Sequence, residues 1–369
     1  MRTLVVSDLH LGGRTGVDVL RDPEIRSVLL TEVGKADRLV LLGDTLELRH
    51  GPAREALAAA RPALEALGEA VPAGREVVLV PGNHDHALVT PWLDTRQKPL
   101  GLESRVRPGT ASPIARQVAG WLGAGGGDVV VAYPGVWLRD DVYATHGHYL
   151  DPHGTVPTFE RLAAGIMERI AGPVPAPAVA EDYERVLAPI YAWITSAAQR
   201  TSEGRLAAGA GSAGKAYSML QGGDGHRPVR VRALAAAFPL GIRGLNLLGV
   251  GPVSGDLSGG ALRRSALHGM GKVIERLGID AEHVIFGHSH RPGPLPADEL
   301  MEWRTPGGAW LHNSGSWVHE PSFTGSSGVN APYWPGGAIV VEDDDEVAGP
   351  PRLLRLLADV SLPPAPRPA

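Results

Sequence analysis

Five short apolar runs, each ending abruptly in a polar cluster, constrain this chain more than any other feature. Residues 3–7 end at Asp8, Arg38–Leu42 at Gly43-Asp44, and Glu76–Val80 at Pro81-Gly82-Asn83. Val142–Thr145 ends at His146, and His283–Phe286 at Gly287-His288. Apolar runs of this length without alternation suit strands buried on both faces. Helical spacing fills the gaps between the first three. Ile25, Val28, Leu29 and Val33 mark one helix, and residues 56–67 another. Asp8, Asp44 and Asn83 lie 36 and 39 residues apart, long enough for right-handed crossovers. The pattern predicts an α/β fold with its ligand site at the carboxyl ends of the strands, where every polar cluster falls.

Between His153 and His283 the pattern changes. Phe159, Leu162, Ala163, Ile166, Met167 and Ile170 form one apolar helical face. Tyr183, Val186, Leu187, Ile190, Tyr191 and Ile194 form a second, which Pro189 is expected to kink. Leu267, Met270, Val273, Ile274 and Leu277 form a third, and the Gly-, Ala- and Ser-rich residues 201–225 read as a flexible loop. We expect residues 1–153 and 279–348 to be two parts of one parent domain, and 154–278 to be a helical cap inserted between them. Residues 349–369 are expected to be a partly disordered tail, frayed at its proline-rich end. No internal repeat is visible.

Composition removes several function classes. The chain of 369 residues has no cysteine, which excludes disulfides, thiolate metal sites and cysteine nucleophiles. A net charge of −5 argues against a general nucleic-acid footprint. The apolar start reaches Asp8 too soon for a targeting segment. Residues 234–253 are apolar but broken by Pro239, Arg243 and Asn246, which argues against a membrane span. The expected location is the cytoplasm.

The clusters read Asp8-Leu9-His10, Gly43-Asp44, Gly82-Asn83-His84-Asp85, His146-Gly147-His148 and Gly287-His288-Ser289-His290. Together at one sheet edge they offer Asp, Asn and His, which suit divalent first-row metals. In a segment that stays strand-like, residues two apart point the same way, so Asp8 with His10 and His288 with His290 would each form a ligand pair.

The ordered set D-x-H, G-D, G-N-H-D, H and G-H-x-H resembles the calcineurin-like metallophosphoesterase superfamily. The match covers residues 1–150 and 283–317, including Asn313-Ser314-Gly315-Ser316. The resemblance implies a four-layer α-β-β-α sandwich with a helical cap insertion. It implies two divalent metal ions, manganese foremost, with iron, zinc or cobalt also suited. Asp8, His10 and His290 would hold one ion, Asn83, His146 and His288 the other, and Asp44 would bridge them. His146 is favoured over its neighbour His148 as the ligand. Ions about 4 Å apart would share a hydroxide that attacks the phosphoryl group. His84 would face the phosphate as a catalytic residue, with Asp85 orienting its ring. Arg14, His86, His148 and Arg291 are candidate substrate contacts, and Glu47 is expected to cap or orient rather than catalyse. The remaining histidines are expected to be structural.

The implied activity is metal-dependent hydrolysis of a phosphomonoester, phosphodiester or pyrophosphate on a small or lipid-linked substrate. Residues 234–253 with Arg227, Arg230, Arg232 and Arg243 beside them suit an anionic lipid interface, hence peripheral contact of the cap with the inner membrane face. That arrangement is similar to the UDP-2,3-diacylglucosamine pyrophosphate hydrolases of the same superfamily. This chain departs from them in carrying His84 where those enzymes typically have Arg, and in a longer insertion. The alternatives are a nuclease of the superfamily, disfavoured by the acidic balance, and a non-catalytic scaffold, disfavoured by the presence of all seven candidate ligands.

Overall fold

The computed structural model describes residues 1–200, 246–247, 251–343 and 349–362. Its strands are β1 (Arg2–Val6), β2 (Arg38–Leu42), β3 (Glu76–Val80), β4 (Glu103–Val106) and β5 (Asp128–Arg139), then β6 (Val142–Thr145), β7 (His283–Phe286), β8 (Trp310–Asn313), β9 (Gly337–Glu342) and β10 (Arg352–Arg355). The five expected strands thus form within a residue of their expected bounds. The hydrogen-bonded order is β10-β9-β1-β2-β3-β5-β6-β7-β8, with β4 beside β5. The pairs β1–β2, β2–β3, β3–β5, β6–β7 and β7–β8 are parallel.

β5 joins two sheet halves. Its first residues pair with β3 and β4, and the stretch from Gly135 onward pairs with β6. Side-chain alternation explains the unbroken apolar runs. Val5, Val40, Leu42, Val78 and Val80 of the first half pack in one buried cluster with Val136, Leu138, Val142, Ala144 and Ile285 from the second. The alternate residues Leu4, Val6, Leu39, Leu41, Val77 and Leu79 face a second core with the helices. Both faces are buried, so neither alternates with polar residues. The result is the α/β sandwich expected, helices outside and two sheet halves within.

The helices used below are α1 (Pro23–Val33), α2 (Ala53–Ala70), α3 (Pro113–Leu122), α4 (Phe159–Ala171), α5 (Ala180–Arg200) and α6 (Gly259–Leu277). α1 begins at Asp22, whose side chain accepts from the Glu24 and Ile25 amides, with Pro23 in the first helical position. In α5 the expected face is buried: Tyr183, Val186, Leu187 and Tyr191 all lie in the core, and Pro189 sits inside an unbroken helical assignment. In α6 Leu267, Met270, Val273 and Ile274 are buried as expected.

α4 is different. Phe159, Ile166 and Ile170, expected to face inward, are 56%, 53% and 74% exposed, while Arg161, Ala164 and Gly165 are buried. The Arg161 guanidinium reaches in to the Gly154 carbonyl at 2.7 Å, which turns the small-residue side of the helix toward the domain. Within the segment expected to be a tail, Arg352–Arg355 is an edge strand on β9 and Leu357 is fully buried. Its end, residues 363–369, lies outside the described residues, as do the loop 201–225, His226, Arg227, Arg230, Arg232, Arg243 and most of residues 234–253. Among the described residues no helix is long and apolar enough to cross a membrane.

Candidate metal centre

The parallel strands deliver their following loops to one edge, and backbone hydrogen bonds lace those loops together. The Asp8 amide donates to the Gly43 carbonyl at 3.0 Å, and the His10 amide to Asp44 at 2.8 Å. In the second half the Gly287 amide donates to the His146 carbonyl at 2.9 Å. The halves are tied by the His288 amide, which donates to Asp8 Oδ2 at 3.0 Å. Ser7 Oγ and Ser314 Oγ, 2.7 Å apart, add a second tie. Asn313 Nδ2 braces the turn by donating to the Gly287 carbonyl at 2.9 Å. The Asn313–Ser316 segment therefore supports the loops rather than facing the site. Gly43 has φ +84°, and a Cβ there would lie 2.2 Å from His146 Cγ and Nδ1, so only glycine fits.

Every non-glycine residue with positive φ among the described residues belongs to this site: Asp8, His10, Asp44, His288 and His290. This corrects the strand-like expectation. Asp8 with His10, and His288 with His290, reach the site through left-handed turns rather than an extended face. Such conformations cost on the order of 1–3 kcal/mol each and persist where the surrounding structure enforces them.

Three overlapping ligand groups result, one of them His10, Asp44 and His84, and the other two match the expected sets. Asp8, His10 and His290 form the first, with His290 Nε2 3.3 Å from Asp8 Oδ1 and 3.1 Å from His10 Nε2. Asp44, His146 and His288 form the second, with His146 Nε2 3.3 Å from Asp44 Oδ2. Asn83 Oδ1 lies 3.1 Å from both His146 Nε2 and His288 Nδ1. Asp44 Oδ2 is also 3.7 Å from His10 Nε2, so it stands between the groups. His148 belongs to none of them.

The donor set fits divalent cations. Three imidazoles are held by the nitrogen pointing away from the site. His10 Nδ1 donates to Glu47 Oε2 at 3.1 Å, His146 Nδ1 to the Leu42 carbonyl at 3.0 Å, and His288 Nε2 to Asp151 Oδ1 at 2.8 Å. Each remaining nitrogen therefore aims a lone pair inward, the arrangement that orients metal-binding histidines. Lone pairs facing one another 3.1 Å apart call for a positive charge between them. The same demand appears in the titration. Burial works against a charged His10, yet Glu47, Asp44 and Asp8 raise it to about 9. His146 likewise rises to about 9, burial being outweighed by Asp44 and Asp8. Burial would raise Asp44, but His146, His84 and His10 hold it well below the usual carboxylate range.

The Asn83 carboxamide faces two demands. With its oxygen inward it faces the histidine lone pairs. Turned over, that oxygen accepts from Arg49 Nη1 and Nη2 at 3.1 Å, while the nitrogen donates to Asp44 Oδ2 at 3.2 Å. A cation and Arg49 thus compete for one oxygen.

His84 sits at the mouth, with Nε2 4.0 Å from Asp44 Oδ2. Its orienting partner is Glu47 rather than Asp85. Glu47 Oε2 accepts from His84 Nδ1 at 2.7 Å, and so links this ring to His10. Asp85 points away, accepting from the amides of Gly82 at 2.7 Å, Thr45 at 2.8 Å and Leu46 at 3.2 Å. Three amides bind its two oxygens, so it shapes the loops, and the His84 ring bonds to Glu47 instead. Glu47, expected to cap or orient, does both, since its Oε1 also accepts from the Arg49 amide at 2.9 Å.

The candidate substrate contacts separate. Arg14 pairs with Glu55 at 2.7 Å. Arg291 is buried and held by both oxygens of Asp298, at 2.9 and 2.6 Å. His86 donates to Glu184 Oε2 of α5 at 3.0 Å, and His148 Nε2 lies 3.1 Å from the Tyr133 hydroxyl. These two line the cap side of the centre. Arg49, Asp151 and Glu184 were missed in sequence. An Arg five residues past Asp44, an Asp five past His146 and a Glu within a helix carry no distinguishing local pattern.

Residues 1–170 match the family described as calcineurin-like phosphoesterase. No curated protein matches the chain in sequence. A solved dimetal phosphatase from Danio rerio aligns over 92% of this chain and 95% of its own, at 13% identity and a TM-score of 0.33, a likeness too loose to carry weight. Residues 1–170 thus carry the likeness to the calcineurin-like phosphoesterases, on a site whose donors suit two divalent cations.

Proposed function

We propose that this protein hydrolyses a phosphomonoester, phosphodiester or pyrophosphate at two divalent cations, manganese first among those its oxygen and imidazole donors suit. Asp8, His10 and His290 hold one cation, Asn83, His146 and His288 the other, and Asp44 lies between. The observation that carries this reading is the convergence of both groups with His10, His146 and His288 each oriented from behind. When bound, the cations polarise the phosphoryl group and acidify water. The chain's residues do the positioning. Glu47 holds the His10 and His84 rings, and Asp151 holds His288. Burial, with Arg49 nearby, pushes His84 down to about 4 although Glu47 and Asp44 pull upward. Its Nε2 is therefore unprotonated at neutral pH and is an acceptor, so it would take a proton from a reacting group rather than donate one to the phosphate.

Metal content measured together with turnover of p-nitrophenyl phosphate and its bis-ester tests this. Bound metal with turnover supports it. No metal, and no turnover after loading with manganese, would leave the scaffold reading.

A second reading places the phosphate on a lipid, with the cap touching the inner membrane face. The apolar stripe Phe159, Ile166 and Ile170 on α4, exposed together with Trp193 of α5, favours it. Co-flotation with vesicles of phosphatidylglycerol and phosphatidylcholine, abolished by Ile166→Asp with Ile170→Asp, is the expected result; a protein that stays unbound refutes this reading.

A further inference from the structure

Helix α5 brings Tyr191 against the cap side of the metal centre, and the polar atoms around it are unevenly satisfied. Glu184, two turns earlier, is well satisfied: it accepts from the Tyr133 hydroxyl at 2.5 Å, the Tyr149 hydroxyl at 2.5 Å and His86 Nε2 at 3.0 Å. Four neighbouring atoms have no hydrogen-bond partner among the described residues: Arg49 Nε, His148 Nδ1, Asp151 Oδ2 and the Tyr191 hydroxyl. Their residues are 7%, 1%, 4% and 2% exposed. They share one region. The Arg49 guanidinium lies over the Tyr191 ring at 5.2 Å, the His148 ring centre is 5.8 Å from that of Tyr191, and Asp151 is among the charges that act on the Tyr191 hydroxyl.

The chemistry of these four atoms selects what complements them. The Tyr133 proton is committed to Glu184, so the Tyr133 oxygen accepts from His148 Nε2, and His148 Nδ1 is a bare acceptor. Asp151 Oδ1 accepts from His288, which leaves Oδ2 a second bare acceptor. Arg49 Nε offers a donor, and the Tyr191 hydroxyl can do either. A phosphate or carboxylate would satisfy the donor and be repelled by both acceptors. An acyl chain would leave all four buried and unpaired, at about 1–3 kcal/mol each. A group carrying several hydroxyls satisfies every one, since each hydroxyl both donates and accepts, and the Tyr191 and His148 rings supply flat apolar surface beside it.

We propose that Tyr191, His148, Asp151 and Arg49 form a subsite for a hydroxylated ring, a sugar or the ribose of a nucleotide, carried by the phosphate that the metal centre cleaves. This rests on the hydrolase reading above and adds the substrate's organic part. Tyr191 is the discriminating residue, because its hydroxyl has no partner to lose and Tyr191→Phe leaves the ring in place.

The test compares glucose 6-phosphate, adenosine 5′-monophosphate and phenyl phosphate, by phosphate release from manganese-loaded protein and by calorimetric binding. Wild type is expected to prefer at least one hydroxylated probe to phenyl phosphate about tenfold or more, and which one identifies the source of the ring. Tyr191→Phe should weaken that probe about three- to tenfold, the value of one neutral hydrogen bond, and leave phenyl phosphate within about twofold. Its melting temperature should not fall. Equal handling of all three probes by wild type, or an equal loss on all three in the variant, overturns the subsite. Selective binding without turnover of any probe or of bis-p-nitrophenyl phosphate would instead sink the hydrolase reading and keep the subsite.

Discussion

Glu47→Gln separates the two ways of orienting the His84 ring. In the structure Glu47 Oε2 takes both Nδ1 protons, His84 at 2.7 Å and His10 at 3.1 Å. Glutamine keeps the shape and one acceptor but removes the charge. A hydrogen bond to a charged group is worth about 1.5–3 kcal/mol and a neutral one about 0.5–1.5 kcal/mol, so each contact loses about 1–1.5 kcal/mol. Each loss corresponds to about five- to tenfold. The two consequences fall on different parameters. The His10 contact governs cation affinity, so the manganese concentration for half-activation should rise about five- to tenfold. The His84 contact governs the phosphate end, so kcat at saturating manganese should fall by a similar factor. The assay is hydrolysis of bis-p-nitrophenyl phosphate across a manganese titration. A variant within twofold of wild type in kcat at saturating manganese would refute the assignment of Glu47 to His84.

Asp85→Asn should do the reverse. Its one oxygen can keep the Thr45 and Leu46 amides, but the NH2 group then faces the buried Gly82 amide, donor against donor at about 1–3 kcal/mol for each unsatisfied group, so melting temperature falls while kcat at low temperature is kept. A tenfold drop in kcat without loss of stability would return Asp85 to the catalytic role. Asp44→Ala should remove both metal and turnover, whereas His84→Ala should keep metal and lose turnover; equal metal loss by elemental analysis would contradict the role given to His84. Acid stability depends in part on His312, which burial, with His283 beside it, pushes down to about 3. Its unfolded pKa is about 6.5, so as pH falls below that value the unfolded chain takes a proton that the folded one refuses, and stability declines toward pH 3. Between pH 7 and pH 5 this costs about 2 kcal/mol, so His312→Asn should lose about that much less in urea unfolding over the same interval. An unchanged difference between the two pH values would show that His312 does not drive it.

What sequence alone determined is what short stretches of chain encode. The bounds of β2, β3, β6 and β7 were readable because burial on both faces leaves an unbroken apolar run. The seven candidate ligands were readable because they cluster just past such runs, in ordered motifs that resemble those of the superfamily. Tertiary structure decided everything that depends on which atom meets which. Asp85 stands beside His84 in the chain and Glu47 is 37 residues away, yet loop geometry turns the first to backbone amides and brings the second to the ring. The left-handed turns at Asp8, His10, Asp44, His288 and His290 are likewise imposed by loops laced across the sheet edge, since these residues do not favour that conformation unaided. The apolar face of α4 shows the same limit. Periodicity marks a face, but whether anything covers it depends on the helix's docking, and here the small residues with Arg161 took the inner side.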